Sequence, residues 1–316
     1  MRRIAVISPF YNENRGLLLF LQSLDATFEC LDTSVVFYLV DDGSTDNSAD
    51  LIREYSATLA KHEICIVSLE FNAGHQMAIY EGIKKASENN FDNYLILDSD
   101  GQDDISIIPR LLEMTTNDVV WVQRSSRAEG VYFRIGYFIY QILYIIISAR
   151  KIDFGNYSLI SHKVARYLLL KRFVHYPTAL LTSPFTKSLI KAKRLSRTYG
   201  KSKMSTSNLV HHAFLSFVED SEVIVYFFLK CTFIIAIIFL LSIGNIFYQK
   251  YIAHTAILGW ASVTSIGLFN LVFLSLGLFA ISLSILKMGR GNEVRQEVKY
   301  EHLNKPSSAI DTNGSL

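Results

Sequence analysis

Five short apolar runs, rich in β-branched residues, divide the first part of the chain. They cover residues 4–8, 35–40, 64–69, 94–97 and 119–122. Buried parallel strands have this pattern. Amphipathic stretches typical of helices separate them, at residues 16–28, 47–59, 74–87 and 106–114. The alternation predicts a doubly wound α/β domain, a fold class whose ligands bind beyond the carboxyl ends of the strands.

Two long apolar segments follow, at residues 223–248 and 256–286. Each exceeds the roughly 20 residues that cross a bilayer core, so we predict two transmembrane helices joined by a short external turn. The alternative is a pair of buried core helices. Basic residues before the first segment and after the second place both flanks in the cytoplasm. The predicted localisation is the inner or plasma membrane, with the α/β domain on the cytoplasmic side.

A shorter apolar stretch covers residues 135–149 and has an arginine on each side. It is short for a bilayer span, which needs roughly 20 residues. We predict a helix that lies in the membrane surface, with Tyr137, Tyr140 and Tyr144 at the depth of the lipid headgroups. The alternative is a third span.

Charge is distributed unevenly, although the net charge of the 316 residues is only +2. Residues 1–118 hold eight Lys and Arg against twenty Asp and Glu, whereas residues 150–218 hold thirteen against one. Such a basic segment indicates an anionic partner: phosphate, acidic lipid or nucleic acid. Its place between a surface helix and a membrane span favours lipid phosphate. The three widely spaced cysteines lack metal-binding or redox spacing and indicate a reducing compartment.

Polar clusters follow three of the predicted strands, at residues 9–13, 41–47 and 98–104. Turns and helix caps explain any one of them. Three at the same edge of one sheet indicate a binding site instead. The third cluster lacks the Gly and Glu of an EF-hand, and the chain has neither a Gly-x-Gly-x-x-Gly loop nor a Gly-Lys-Ser/Thr loop.

The third cluster holds a set of oxygen ligands. Gly101 permits the chain to turn, so that Asp98, Asp100 and Gln102 can face one point. Two carboxylates and an amide suit a hard divalent cation, Mg²⁺ or Mn²⁺. Such a cation bridges a nucleotide diphosphate and stabilises it as a leaving group.

Four motifs together resemble one family. They are Val-Ile-Ser-Pro-Phe-Tyr-Asn-Glu at 6–13, Val-Asp-Asp-Gly-Ser-Thr-Asp at 40–46, Asn-Ala-Gly at 72–74 and Asp-x-Asp-x-Gln at 98–102. The chain resembles family 2 glycosyltransferases, which have the GT-A fold. The two apolar segments and Arg-x-x-Gly-x-Ser-Lys at 197–203 narrow the resemblance to the polyprenyl-phosphate glycosyltransferases. That branch includes bactoprenol glucosyltransferases and dolichol-phosphate mannose synthases, and the resemblance covers nearly the whole chain.

The resemblance implies roles for individual residues. Those that bind the nucleotide-sugar are Pro9, Tyr11, Glu13, Asp41, Asp42, Asn72 and Asp98. The metal ligands are Asp98, Asp100 and Gln102. Those that hold the acceptor phosphate are Arg127, Arg134, Arg197, Lys201 and Lys203. Those at the reaction centre are Asp100, Arg124, Asp153 and Asn156. Guanidinium groups suit phosphate oxygens, although a single arginine is otherwise a solvated or lipid-facing charge.

Two positions depart from the family pattern. Phe71 stands where an arginine is common, and Asn156 stands where some relatives have an acid that is the candidate catalytic base. Asp153 lies three residues earlier. A missing base is tolerable, because a phosphate monoester is already largely dianionic at neutral pH and can attack a sugar C1 directly. Positioning and charge neutralisation then carry much of the catalysis.

The resemblance implies an inverting glycosyltransferase that moves a sugar from a nucleotide-sugar to a polyprenyl phosphate at the cytoplasmic membrane face. The predicted parts are a GT-A domain (1–130), interfacial helices with an acceptor-binding basic segment (131–222), two transmembrane helices (223–287) and a cytoplasmic tail (288–316). The alternatives are a catalytically impaired membrane module that binds nucleotide-sugars and, less favoured, a processive polysaccharide synthase. The predicted partners are both substrates and the membrane, not nucleic acid; a homo-oligomer is left open.

Overall fold

The structure is a computed structural model. It describes residues 1–58, 61–114, 116–124, 131–151, 154–193, 195, 206–223 and 298–303, with isolated residues between 226 and 284. The chain divides into two compact units. One contains Met1–Arg134, Ile152–His212 and Val294–Leu316, and the other contains Ile135–Lys151 and Ala213–Glu293.

The first part of the chain alternates strands and helices as the sequence predicts. Strands β1 to β5 are Arg2–Phe10, Thr33–Asp41, Glu63–Leu69, Asn93–Ile96 and Val119–Arg124. Helices α1 to α4 are Asn14–Glu29, Ser48–Thr58, His75–Ala86 and Ile108–Glu113, with a 3-10 turn at Ile105–Ile107. The later elements are α5 (Val131–Ser148), β6 (Ser158–Ser161), α6 (His162–Lys171), α7 (Tyr176–Thr182), β7 (Lys187–Ala192), α8 (Thr206–Glu219) and β8 (Val298–Leu303). The five predicted strands are confirmed.

The strands form one sheet in the order β7-β5-β6-β4-β1-β2-β3-β8. The pairs β1–β2, β1–β4, β2–β3 and β5–β7 are parallel. Strand β6 lies antiparallel between β4 and β5, and β8 lies antiparallel on β3. The five predicted strands share one direction, and the antiparallel strands β6 and β8 make the sheet mixed. The sequence analysis missed β6 and β7, which come from the region assigned to the acceptor, and β8, which comes from the predicted tail.

Alternating strand residues supply two separate cores. Ile4 and Val6 of β1 pack with α1, α2 and α4, whereas Ala5 and Ile7 pack with α3, α6 and α7. This is the period-two alternation of a strand buried on both faces. Helices cover both faces of the sheet, so the doubly wound arrangement is confirmed.

Glycine permits the close approach of α3 to the sheet. A Cβ atom on Gly82 would lie 2.6 Å from the Ile7 Cγ2 and 2.8 Å from the Val40 Cγ2. Contacts that short force neighbouring atoms to move, so only glycine fits here without repacking β1 and β2. The start of α3 is thereby held at a fixed height above the strand ends.

The second unit has a tyrosine face. Tyr140 OH lies 2.8 Å from Ser216 Oγ, and Tyr144 OH donates to Asp220 Oδ2 at 3.0 Å. Asp220 also pairs with Arg150 at 3.2 Å. Other side chains of α5 are apolar and exposed, namely Phe138, Ile139, Ile142, Leu143, Ile145 and Ile146. Within the described part of the chain, no helix combines the length and apolar character needed to cross a bilayer; the two predicted spans lie largely outside the described residues.

Candidate active site

The carboxyl ends of six strands meet at one edge of the sheet, called the carboxyl edge below. Strands β1 to β4 run in one direction, and β5 shares it because both β4 and β5 are antiparallel to β6. Strand β7 is parallel to β5, so it ends at this edge too, whereas β6 begins there. The three polar clusters of the sequence are therefore brought together, as predicted.

Hydrogen bonds fix the loops of the carboxyl edge to one another. The Ser99 hydroxyl donates to the Pro9 carbonyl at 2.8 Å. The backbone N–H of Asn12 donates to Ser44 Oγ at 3.0 Å, and Asn12 Oδ1 accepts from the Thr45 N–H at 2.8 Å. These contacts join the loops after β1, β2 and β4. The same loops carry the predicted nucleotide-binding residues Pro9, Tyr11, Glu13, Asp41 and Asp98.

Asp41 and Asp42 hold the loops that follow β2 and β3. Asp41 Oδ1 accepts from the Ser44 N–H at 2.8 Å. Asp42 is buried, and its Oδ1 accepts from the N–H groups of Ala73 at 2.8 Å and Gly74 at 3.1 Å. Burial raises the pKa of Asp42 above its ordinary value, against the lowering effect of these hydrogen bonds. The sequence placed Asp42 beside a nucleotide; in the structure its carboxylate ties down the loop that contains Asn72.

In the acidic stretch after β4, three carboxylates accept hydrogen bonds from three different backbone N–H groups. Asp100 Oδ1 accepts from the Gln102 N–H at 3.0 Å, and Gly101 turns the chain with a φ of 71°. Asp103 Oδ2 accepts from the Asp98 N–H at 3.0 Å and closes the loop. Asp104 caps the 3-10 turn by accepting from the Ser106 N–H at 3.0 Å. Asp104 therefore caps the turn that follows the loop, whereas Asp103 folds back onto Asp98.

The donor chemistry of this loop fits a hard divalent cation. Asp98 and Asp100 supply carboxylate oxygens and Gln102 an amide oxygen, and these are the ligands that Mg²⁺ and Mn²⁺ prefer. Among the described residues, no group of three His, Cys, Asp or Glu side chains is arranged to hold a metal ion. The predicted ligand set has only two such side chains, because its third member is the amide of Gln102. The cation site stays a prediction.

Sequence reasoning missed a polar triangle around Asp98. His75 Nε2 lies 3.1 Å from Asp98 Oδ1 and 2.9 Å from Asn156 Nδ2, and Asn156 Nδ2 lies 3.3 Å from the same Asp98 oxygen. Burial lowers the pKa of His75, but the hydrogen bond with Asp98 and the charges of Asp98, Asp42 and Asp100 outweigh it, so the pKa is raised. The position expected to hold a catalytic acid thus contacts a predicted metal ligand.

Gln76 and Tyr176 extend this network into the core. Gln76 Nε2 donates to Asn156 Oδ1 at 3.4 Å, and Gln76 Oε1 accepts from the Tyr176 N–H at 2.7 Å. Tyr176 OH lies 2.7 Å from Ser158 Oγ at the start of β6. The Asn156 side chain is therefore held from the side of α3, two residues before β6 begins.

Two more histidines lie close to this network. His175 is buried, its Nδ1 is 2.8 Å from Thr178 Oγ1 and its ring centroid is 6.2 Å from that of His212. Burial, with a smaller contribution from His212, lowers the pKa of His175 to about 3. Burial and the charge of His75 also lower the pKa of His212, whereas Asp98 acts in the opposite direction. His175 is therefore neutral at physiological pH.

One part of the basic segment lies beside the acidic loop. Arg124 ends β5 and pairs in register with Ala192, which ends β7. Three residues after β7, the backbone N–H of Leu195 donates to the Gln102 carbonyl at 3.0 Å. The chain that leads to Arg197 thus starts next to the predicted metal ligands.

Several predicted site residues cannot be placed in this geometry. Asp153, Arg127, Arg197, Lys201 and Lys203 lie outside the described residues. Arg124 and Arg134 are placed through their backbone, at the end of β5 and in the first turn of α5, and their side chains lie outside the description. Their roles stay predictions.

Comparison with known proteins gives one family match. A sequence profile of the family described as Glycosyl transferase family 2 matches residues 5–175, more than half of the chain. That range contains His75, Asp98 and Asn156 and ends at His175.

Two curated relatives carry the same name. An undecaprenyl-phosphate 4-deoxy-4-formamido-L-arabinose transferase of Photorhabdus laumondii is 24% identical over 322 residues, which cover 95% of this chain and 93% of the relative. The enzyme of that name from Pseudomonas syringae pv. syringae is 33% identical over 133 residues, 42% of this chain and 38% of the relative. The solved structure of a mannosyltransferase from Pyrobaculum calidifontis in complex with GDP-Man and Mn²⁺ is 13% identical with a TM-score of 0.45, covering 92% of this chain and 89% of the other.

Proposed function

Because the chain belongs to glycosyl transferase family 2, we propose that it is an inverting glycosyltransferase of the polyprenyl-phosphate branch, with the GT-A fold. It transfers a sugar from a nucleotide-sugar to a lipid phosphate of the undecaprenyl type, the acceptor named for its relatives. The hydrogen bond from the Leu195 N–H to the Gln102 carbonyl, at 3.0 Å, carries the proposal. It sets the part of the basic segment that leads to Arg197 against the acidic loop, and transfer needs a donor diphosphate and an acceptor phosphate side by side.

The donor is held by the loops of the carboxyl edge. Pro9, Tyr11, Glu13 and Asp41 face the nucleoside in this proposal, with Asn72 on the loop that Asp42 ties down. Asp98, Asp100 and Gln102 hold Mg²⁺ or Mn²⁺. When bound, the cation neutralises the charge that develops on the departing nucleotide diphosphate. The loop contacts of Asp100 and Asp103 then fix the ligands before the donor arrives.

In this proposal the acceptor phosphate is held by six basic residues, Arg124, Arg127, Arg134, Arg197, Lys201 and Lys203. A phosphate oxygen attacks C1 of the sugar as the bond from C1 to the diphosphate oxygen breaks, so the anomeric configuration inverts. The dianionic phosphate needs no general base. Asn156 can therefore replace the acid of some relatives, and no proton transfer is assigned to Asp153.

The second unit serves as the membrane part in this proposal. The exposed apolar face of α5 lies in the membrane surface, while its tyrosine face pairs with residues 216–220. Residues 223–248 and 256–286 span the inner or plasma membrane, and the domain bounds given above apply. The α/β domain and the tail are cytoplasmic, where nucleotide-sugars are made.

A screen of nucleotide-sugars against undecaprenyl phosphate tests the proposal. The full-length protein in detergent is incubated with each donor and Mn²⁺, and mass spectrometry detects glycosylated lipid. We expect one donor class to give a lipid monophosphate sugar, and none when Asp100→Asn is used or when undecaprenol replaces its phosphate. Product on undecaprenol would show that the acceptor is wrong. Donor binding without any lipid product would favour the alternative of an impaired nucleotide-sugar-binding module, for which Asn156 and Phe71 are the supporting observations.

A further inference from the structure

We propose that His75 is a positioning residue for the donor site: its Nε2 holds Asp98 Oδ1, with Asn156 as second partner, so that the Asp98 carboxylate keeps one orientation for the cation. This inference rests on the proposed function for the cation and the nucleotide diphosphate. The family resemblance gave His75 no role, and it placed Asn156 at a position where some relatives have the candidate catalytic base.

His75 stands on a rigid support. It is the first residue of α3, whose preceding residue Gly74 has a φ of 93° and is held by the Asp42 carboxylate at 3.1 Å. Behind it, Gly82 packs α3 directly onto Ile7 and Val40. A side chain on such a support can fix its partner to within the tolerance that a metal site demands.

Asp98 needs such a partner because its surroundings are acidic. Its backbone N–H is already bound to Asp103, and Asp100 follows two residues later. Unopposed, these carboxylates repel one another and spread. A donor at 3.1 Å from one oxygen opposes that motion, and hydrogen bonds to ionised acceptors are the stronger kind.

Asn156 supports the same oxygen from the start of β6. Its amide lies 3.3 Å from Asp98 Oδ1 and is itself held by Gln76 at 3.4 Å. His75 Nε2 cannot donate to Asp98 and accept from Asn156 at the same time. With the N–H of Nε2 directed to Asp98, the Asn156 amide serves as a second donor to that oxygen. An acid at position 156 would instead compete with Asp98 for the imidazole.

Mn²⁺ binding separates positioning from folding. Full-length wild type, His75→Leu and His75→Gln are compared in detergent, with free Mn²⁺ measured by EPR in the absence of acceptor. We expect His75→Leu to bind Mn²⁺ about 10- to 100-fold more weakly, the usual effect of losing an outer partner of a metal ligand. His75→Gln keeps an N–H donor at nearly the same reach and should recover most of the affinity.

His162→Leu is the matched control. His162 is also the first residue of a helix, α6, and its Nδ1 contacts a single side chain, Tyr94, at 3.2 Å among the recorded hydrogen bonds. It lies at the end of β6 opposite to the carboxyl edge, so its loss should leave Mn²⁺ affinity unchanged. Melting temperatures of all four proteins establish that each is folded.

The outcomes are distinct. Wild-type affinity in His75→Leu, while wild type itself binds Mn²⁺ and transfers sugar, overturns this inference alone. Equal loss in His75→Leu and His75→Gln overturns it as well, because the donor atom then does not matter. Failure of wild type to bind Mn²⁺ overturns the metal assignment of the proposed function together with this inference. Kinetics add a further readout: weaker cation positioning should lower kcat for transfer more than it raises KM for the lipid acceptor.

Discussion

Two histidine–aspartate pairs lie at opposite ends of the same sheet. At the carboxyl edge, His75 contacts Asp98 at 3.1 Å, and the two side chains are 34% and 19% exposed. At the other end, just before β3, His62 contacts Asp25 at 2.6 Å, and these side chains are 17% and 4% exposed. The chemistry of the two pairs is the same, but their access to solvent and ligands is not.

The surroundings of Asp25 explain the difference. Its Oδ2 also accepts from Tyr55 OH at 2.8 Å and from the Lys61 N–H at 3.0 Å, so α1, α2 and the start of β3 are joined through one carboxylate. Burial and Asp25 raise the pKa of Tyr55, which keeps its hydroxyl a donor. Asp25 therefore serves the fold, whereas Asp98 faces loops where a ligand can bind. A buried carboxylate with a full set of donors is poor grounds for a functional site.

The largest expected effect separates the two aspartates by activity. Asp98→Asn removes a charge from the proposed cation site, so transfer of sugar to lipid phosphate should fall about a thousandfold, or about 4 kcal/mol in the barrier. The melting temperature should stay close to that of wild type. Asp104→Asn, in the same loop, also removes a charge, but the amide oxygen can still accept from the Ser106 N–H and cap the turn, so this variant should retain transfer. Wild-type turnover by Asp98→Asn would show that Asp98 has no part in the reaction.

The opposite result is expected at Asp25. Asp25→Asn cannot accept from Tyr55, Lys61 and His62 together, and one buried donor loses its partner. We expect a loss of about 3 kcal/mol in stability, which lowers the melting temperature by about 6 to 12 °C. Transfer per folded molecule should be unchanged. Asp32→Asn, at an exposed acid beyond the end of α1, is the control. A normal melting temperature with lost transfer would reverse the comparison.

The fold could be predicted where the signal was local. Strands β1 to β5 are apolar runs, and β1, β2 and β3 are neighbours in the sheet as they are in the chain. Strand β7 is an edge strand with lysines at positions 187 and 191, a composition that protects edges but looks like a loop. Strand β8 is half polar, and its partner β3 lies more than 200 residues earlier in the chain. Nothing near residues 298–303 specifies that pairing.

The candidate site, like the fold, could be predicted only where the sequence signal was local. Asp98, Asp100 and Gln102 stand at predicted strand ends in a recognisable spacing, so sequence reasoning brought them together. His75 gave no comparable signal, because a histidine at the start of a helix is common and its partner is 23 residues away in the chain. The turn residue Gly74 before it was the available clue. Asn156 was singled out as a lost acid, but only the antiparallel insertion of β6 shows that it contacts Asp98.

A third histidine, His175, extends the comparison to the pH dependence of stability, where we expect the smallest effect. His175 is buried against Thr178 and His212, and its pKa is lowered to about 3. Between pH 6.5 and 3 the unfolded chain binds a proton at this position and the folded chain does not, so stability falls as pH falls; at pH 5 the loss is about 2 kcal/mol. His175 occupies the N-cap position of α7, which asparagine also suits, and asparagine does not titrate. We therefore expect His175→Asn to reduce the fall in melting temperature between pH 7 and pH 5 by about 4 to 8 °C. The control is His162→Asn, at an exposed position, which should show the same fall in melting temperature as wild type. If His175→Asn also showed the wild-type fall, His175 would be protonated in the folded protein as readily as in the unfolded chain.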